Sequence, residues 1–143
     1  KWYQAVICGK LWITMDICDY LKQDKKNNCS RIVDKSDPDG KRAELEYKVL
    51  DCIQTEEKDP QYLSLVEIKL LTGRHHQIRV QFSGHGTPLY GDGKYGNNEK
   101  AVKKSLALCA CHLRFKHPAT GRIMDFQIKP DTGAFKLFSK NTS

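Results

Sequence analysis

The chain has 143 residues, 39% of them hydrophobic and 29% charged, the size and composition of one soluble globular domain with a real core. No apolar run approaches the length of a bilayer span and no charged-then-apolar signal segment opens the chain, so the expectation is a cytoplasmic protein without membrane contact. Net charge is +7 and unevenly spread: residues 1–72 hold 12 Lys/Arg against 13 Asp/Glu, whereas residues 73–143 hold 12 against 4. A basic half is the electrostatic footprint of a polyanion binder, although a solvated basic surface that only aids solubility would read the same.

In chain order, KWYQAVICG alternates with period 2, placing Lys1, Tyr3, Ala5, Ile7 and Gly9 on one face of a strand. A strand pattern directly behind Lys1 points to a piece of a longer protein. The polar stretch from Asp19 to Lys41, with the turn signal Asp37-Pro38-Asp39-Gly40, reads as a long excursion with little regular structure. AELEYKVLDCI (43–53) and YLSLVEIKLL (62–71) read as an antiparallel strand pair. Thr72 is then a candidate N-cap for a helix from Arg74 to about Ser83, ended by Gly84 and Gly86. GTPLYGDGKYGNN is loop, and a short helix is expected over Glu99 to Lys104. LALCACHLRFKH (106–117) and IMDFQIK (123–129) form a hairpin around Pro118-Ala119-Thr120-Gly121. The fold class is α+β: one domain, a largely antiparallel or mixed sheet with few helices.

The segment TGRHHQIRVQF (72–82) is polar for a helix. Ile78 and Phe82 can anchor it on the sheet, which puts Arg79 near the anchored edge and facing inward. An inward Arg needs a carboxylate or phosphate, because a buried unpaired charge is costly; a structural salt bridge would satisfy it equally. Arg74 adds its charge to the positive end of the helix, a natural phosphate cradle. Tyr3 beside Lys1 could stack on a base while the ammonium meets a phosphate, though tyrosines in strands more often serve packing.

The six cysteines form no C-x-x-C and suggest no disulfide framework. Cys109, Cys111, His112 and His117 raise a zinc-stabilised structural domain as one reading. On a strand, however, Cys109 and Cys111 share a face and His112 points away, so buried reduced thiols and no metal are expected.

Four blocks carry a resemblance that spans the chain in order. They are Lys1/Tyr3/Ala5/Ile7/Gly9, the run Leu70 to Val80 (L-x-T-G-R-x-H-Q-I-R-V), Gly84 to Gly96 (G-H-x-x-P-L-x-G-D-x-x-Y-G), and Leu108/Leu113/Phe115/His117/Pro118. Together they resemble the RluA family of pseudouridine synthases. The resemblance implies that residues 1–143 are the C-terminal portion of a single catalytic domain acting on ribosomal or transfer RNA, without metal or organic cofactor. It implies that Arg79 pairs with a nucleophilic aspartate and that Tyr3 stacks on the target base and aids proton removal at C5. Lys1, Arg74, His76 and Gln77 would contact RNA, the last three with local hydrogen bonding as the other role open to them. Asp92, between Gly91 and Gly93, would pin a turn or touch substrate. The family's H-R-L-D-x-x-T-S-G block is not found in this sequence. The chain alone is therefore expected to be inactive and monomeric, with Arg79 short of its usual partner and open to an anion or a neighbouring carboxylate. A non-catalytic RNA-binding protein on the same fold is the alternative.

Overall fold

A computed structural model describes residues 1–56, 58–96 and 105–141. Seven strands form one sheet in the order β3-β2-β4-β5-β1-β6-β7. In chain order they are β1 (Trp2–Cys8), β2 (Met15–Asp24), β3 (Cys29–Val33), β4 (Lys41–Gln54), β5 (Tyr62–Leu70), β6 (Leu108–Lys116) and β7 (Ile123–Gln127). Every neighbouring pair is antiparallel. One helix, α1 (Gln77–Gly84), and a closing 3₁₀ segment (Gly133–Asn141) complete the described elements.

β1 lies deep in the sheet, and Ala5, Val6 and Ile7 are fully buried there. Its alternation sends Ala5 and Ile7 into a cluster with Leu45, Tyr47, Val66 and Ile68, roofed by Ile78 and Phe82 of α1. Val6 enters a second cluster with Leu63, Phe135 and Phe138 of the 3₁₀ segment. The sheet is thus covered on both faces, and α1 is held by two side chains one turn apart, as its spacing predicts. Full burial of Phe82 contributes roughly 1.5–3 kcal/mol.

Two expectations require correction. The stretch from Asp19 to Lys41 is largely regular: β2 runs to Asp24, Asn28 takes a left-handed turn conformation (φ 49°), and β3 returns to Val33. These strands form the sheet edge and bury little beyond Leu21 and Ser30, so their exposed positions carry Lys, Asp and Asn and mask the alternation. The helix also starts later than expected, at Gln77 rather than Arg74. Thr72 does not cap it. The Thr72 hydroxyl accepts from the Glu44 N–H (2.9 Å) and donates to Gln77 Oε1 (2.8 Å), tying residues 72–76 to β4 instead of winding them. The helix expected over Glu99 to Lys104 lies outside the described residues.

The hairpin of β6 and β7 forms as the sequence indicates. His112 stacks on Trp2 (4.5 Å between ring centres) and bonds Asp125 (2.8 Å). His117 accepts two turn N–H groups at Nδ1. All six cysteines are free thiols; Cys111 is buried, Cys109 only half-buried. Among the described residues no three potential ligands cluster around a common point. No described helix is long and apolar enough to cross a membrane.

Candidate active site

A cleft of about 300 Å³ opens where the start of β1 meets the segment leading into α1. Tyr3, Arg74, His76, Gln77 and Arg79 all line it, so five of the six candidate residues converge from two separated parts of the sequence. The sixth, Lys1, reaches the site through Tyr3, with its ammonium 5.4 Å from the ring centre. Beside Tyr3 the β1–β6 register slips: Trp2 faces His112 and Tyr3 faces Ala110, leaving Cys111 as the extra residue. Bulges of this kind re-aim side chains next to functional sites.

Arg79 is the electrostatic centre. Its Nε donates to Asp92 Oδ2 (3.0 Å) and its Nη2 to Asp92 Oδ1 (2.8 Å), a two-pronged pair. Asp92 is fully buried, while the Arg79 side chain is 19% exposed. Oδ1 also accepts from the Lys94 and Tyr95 N–H groups (3.1 and 3.0 Å). Burial alone would raise the Asp92 pKa, but the hydrogen bonds and charge of Arg79 and the two N–H groups hold it below the ordinary carboxylate value. The carboxylate holds Arg79 charged in return, against the opposing effect of burial.

The carboxylate that an inward Arg79 requires is therefore Asp92, whose role the sequence left open. A signal existed: residues 73–143 contain only four acidic residues, and Asp92 follows the helix most closely. Tyr95, three residues on, was missed as well. Its ring lies against the Arg79 guanidinium at 5.1 Å. Its hydroxyl bonds His76 Nδ1 (2.7 Å) and accepts from the Ser30 N–H of β3 (3.0 Å).

His76 adopts a left-handed conformation (φ 53°) at the helix start. Burial first, then the neighbouring His75, Arg79 and Lys94, lower its pKa. In the neutral form with Nδ1 unprotonated, His76 can accept a hydrogen bond from the Tyr95 hydroxyl. Gln77 fills the local role: it is 2% exposed, its Oε1 accepts from Thr72 and the Arg74 N–H, and its Nε2 donates to the Glu44 carbonyl. Arg74 is exposed, with Nε bonded to the Arg42 carbonyl (2.9 Å).

The family model described as RNA pseudouridylate synthase matches residues 1–84, more than half of the chain. The chain belongs to that family. It is an RluA-family protein: the dual-specificity RNA pseudouridine synthase RluA of Escherichia coli is 34% identical over 116 residues, covering 80% of this chain and 47% of the relative. An uncharacterized RNA pseudouridine synthase, YlyB of Bacillus subtilis, is 40% identical over 126 residues, covering 87% and 38%. The chain spans roughly a third of the length of several such relatives. The human RNA pseudouridylate synthase domain containing 1 shares the fold with a TM-score of 0.76 at 24% identity, over 91% of this chain and 54% of that one. The family match includes Tyr3, Arg74, His76 and Arg79, and stops short of Asp92.

Proposed function

We propose that residues 1–143 are the C-terminal portion of a single catalytic domain, in a monomeric, cytoplasmic enzyme that isomerises uridine to pseudouridine in ribosomal or transfer RNA. The observation that carries this reading is the cleft that gathers Tyr3, Arg74 and His76 around a clamped Arg79. The reaction needs no metal or organic cofactor. A carboxylate attacks the target nucleotide, the N-glycosidic bond breaks, the uracil turns, and C5 bonds to C1′ as the carboxylate is released; C5 then loses its proton and N1 gains one.

Asp92 is unsuited to be that nucleophile. It is 0% exposed, and both its oxygens are engaged. The nucleophile is assigned to an aspartate outside these residues, in the position that the R-L-D block holds in the family. Arg79 has capacity for it: Nε and Nη2 serve Asp92, and among the described residues Nη1 bonds no partner. Tyr3 supplies an aromatic face for the target base, and Lys1 and Arg74 supply charge for the adjoining phosphates.

The test is tritium release from RNA labelled at uridine C5, drawn from cells lacking the modification, with full-length protein and its Arg79→Lys variant. Release by the wild type, and a loss of about a hundredfold or more in the variant at near-normal RNA affinity, supports the assignment. No release from any RNA fraction would leave a non-catalytic RNA-binding role.

A further inference from the structure

The β2–β3 hairpin, unexpected from the sequence, encloses a second and larger cleft of about 580 Å³. Its walls are the end of β2 and the hairpin, the turn at Pro38–Gly40, and residues 73–75. Four cations line it: Lys22, Lys25, Lys41 and Arg74, against one acidic residue, Asp39. Lys22 lies 3.8 Å from Asp37 and 3.7 Å from Asp39, long ion pairs in which Lys22 and Asp37 are half-buried and Asp39 is exposed. Among the described residues, Lys25, Lys41 and Arg74 have no acidic partner. A further cleft of about 520 Å³ shares Lys22, Lys25 and Ser30 and adds Arg31 on the outer strand, with Asp24 as its one acidic residue.

Arg74 decides what this groove is for. It lines both the basic groove and the cleft that holds Tyr3 and Arg79. Its Nε is fixed on the Arg42 carbonyl, which orients the guanidinium. Among the described residues neither Nη group bonds a partner, which leaves both for a two-pronged contact with a phosphate. The groove wall is also tied to the site, since Ser30 bonds His75 through its hydroxyl (2.8 Å) and Tyr95 through its N–H. A nucleotide seated at Tyr3 would send its backbone past Arg74 and into the groove.

We propose that the groove between the β2–β3 hairpin and Gly73–His75 binds the phosphodiester backbone of a single RNA strand flanking the target nucleotide. The proposal rests on the pseudouridine synthase reading for its direction and identifies where the flanking strand leaves the site. The hairpin thereby becomes a substrate-selecting element: RNAs with an unpaired flank of several nucleotides would use it, and tightly closed loops would not. The proposed occupant is single-stranded, because an unpaired backbone is flexible enough to turn from the Tyr3 cleft past Arg74 and run along Lys41 and Lys25.

The experiment uses full-length protein and a fluorescent oligouridylate of about 12 nucleotides, within the span a single-strand groove covers. Affinity is followed by anisotropy from about 50 to about 200 mM salt. Lys22→Ala/Lys25→Ala/Lys41→Ala should flatten the dependence of log affinity on log salt by about 2, at roughly 0.7 per phosphate lost. Lys22→Arg/Lys25→Arg/Lys41→Arg should keep the wild-type slope. A wild-type slope in the alanine variant overturns the groove, as does a flattened slope in the arginine variant. So does a loss confined to duplex RNA of the same length. Tritium release separates the two readings: release by the wild type with an unaltered slope in the alanine variant defeats the groove alone. No release, with the slope flattened, defeats the enzyme and leaves the groove standing.

Discussion

Asp92→Asn probes the pair around which the cleft is built. The substitution preserves volume and removes the charge. In the wild type, the carboxylate accepts two hydrogen bonds from Arg79 and two backbone N–H groups. The amide turns one acceptor into a donor facing other donors, and leaves the guanidinium without a counter-ion. Breaking a buried pair from one side costs about 3–5 kcal/mol. Arg79 keeps a 19% exposed route to water, so the lower figure applies, about 3 kcal/mol. With a urea slope of about 2 kcal/mol/M, the unfolding midpoint of the full-length protein should fall by about 1.5 M. The effect should also depend on pH. The folded pKa of Asp92 lies below its ordinary value of 3.8. Its contribution is therefore complete above 3.8 and is lost as pH falls through the folded value, so the gap between wild type and variant should close on acidification. Circular dichroism against urea at neutral and acid pH measures both. A midpoint shift below about 0.3 M at unchanged slope would show that Asp92 does not hold Arg79, and would refute the reasoning.

Three further outcomes are expected. Gly91→Ala should destabilise by about 2 kcal/mol or more, because a Cβ there meets the Ser105 carbonyl oxygen at 2.2 Å in a left-handed backbone (φ 80°); a melting temperature within a degree of wild type would contradict the close approach. Phe82→Ala should cost about 3–5 kcal/mol by opening a cavity under α1, read from denaturant midpoints, and a loss under about 1 kcal/mol would mean that the helix is not anchored there. His76 is held neutral in the fold, with its pKa lowered from 6.5, so the unfolded chain binds the extra proton first as pH drops. Stability should be complete above about 6.5 and decline below it, and His76→Gln should flatten that limb of the pH profile; equal slopes in both proteins would remove His76 from the account.

What the sequence disclosed follows from which signals are local. The strand pattern of β1, β4 and β5 is written in apolar residues, because those strands lie in the middle of the sheet and bury at least one face. β3 is the edge strand and β2 lies next to it, and in both the exposed positions carry charges beneath which the alternation disappears. The late start of α1 was illegible for another reason. Thr72 looks like a cap, but its hydroxyl is taken by Glu44 and Gln77, a tertiary contact across 28 residues that no local rule encodes. In the site, Arg79, Arg74, His76 and Tyr3 were visible through motif chemistry. The Asp92 and Tyr95 contacts come from a glycine-rich loop, whose sequence announces a turn but not what the turn faces.

The Arg79–Asp92 pair also bears on how a second carboxylate would behave in the proposed reaction. Facing a bare guanidinium in a partly dry cleft, a nucleophilic aspartate would be pulled far down in pKa and made correspondingly unreactive. Asp92 is ionised and already cancels that charge, so the incoming carboxylate meets a pair of net zero charge and a single directed N–H at Nη1. Orientation is kept while the electrostatic quenching is reduced. Asp92→Asn would then leave the guanidinium uncompensated and tighten its hold on the nucleophile. In full-length protein the variant should lower kcat by about tenfold or more with KM for RNA little changed, at a temperature where both proteins are folded. An unchanged kcat beside a lowered unfolding midpoint would reduce Asp92 to a structural brace. A raised KM at constant kcat would move its role from the reacting carboxylate to the binding of RNA.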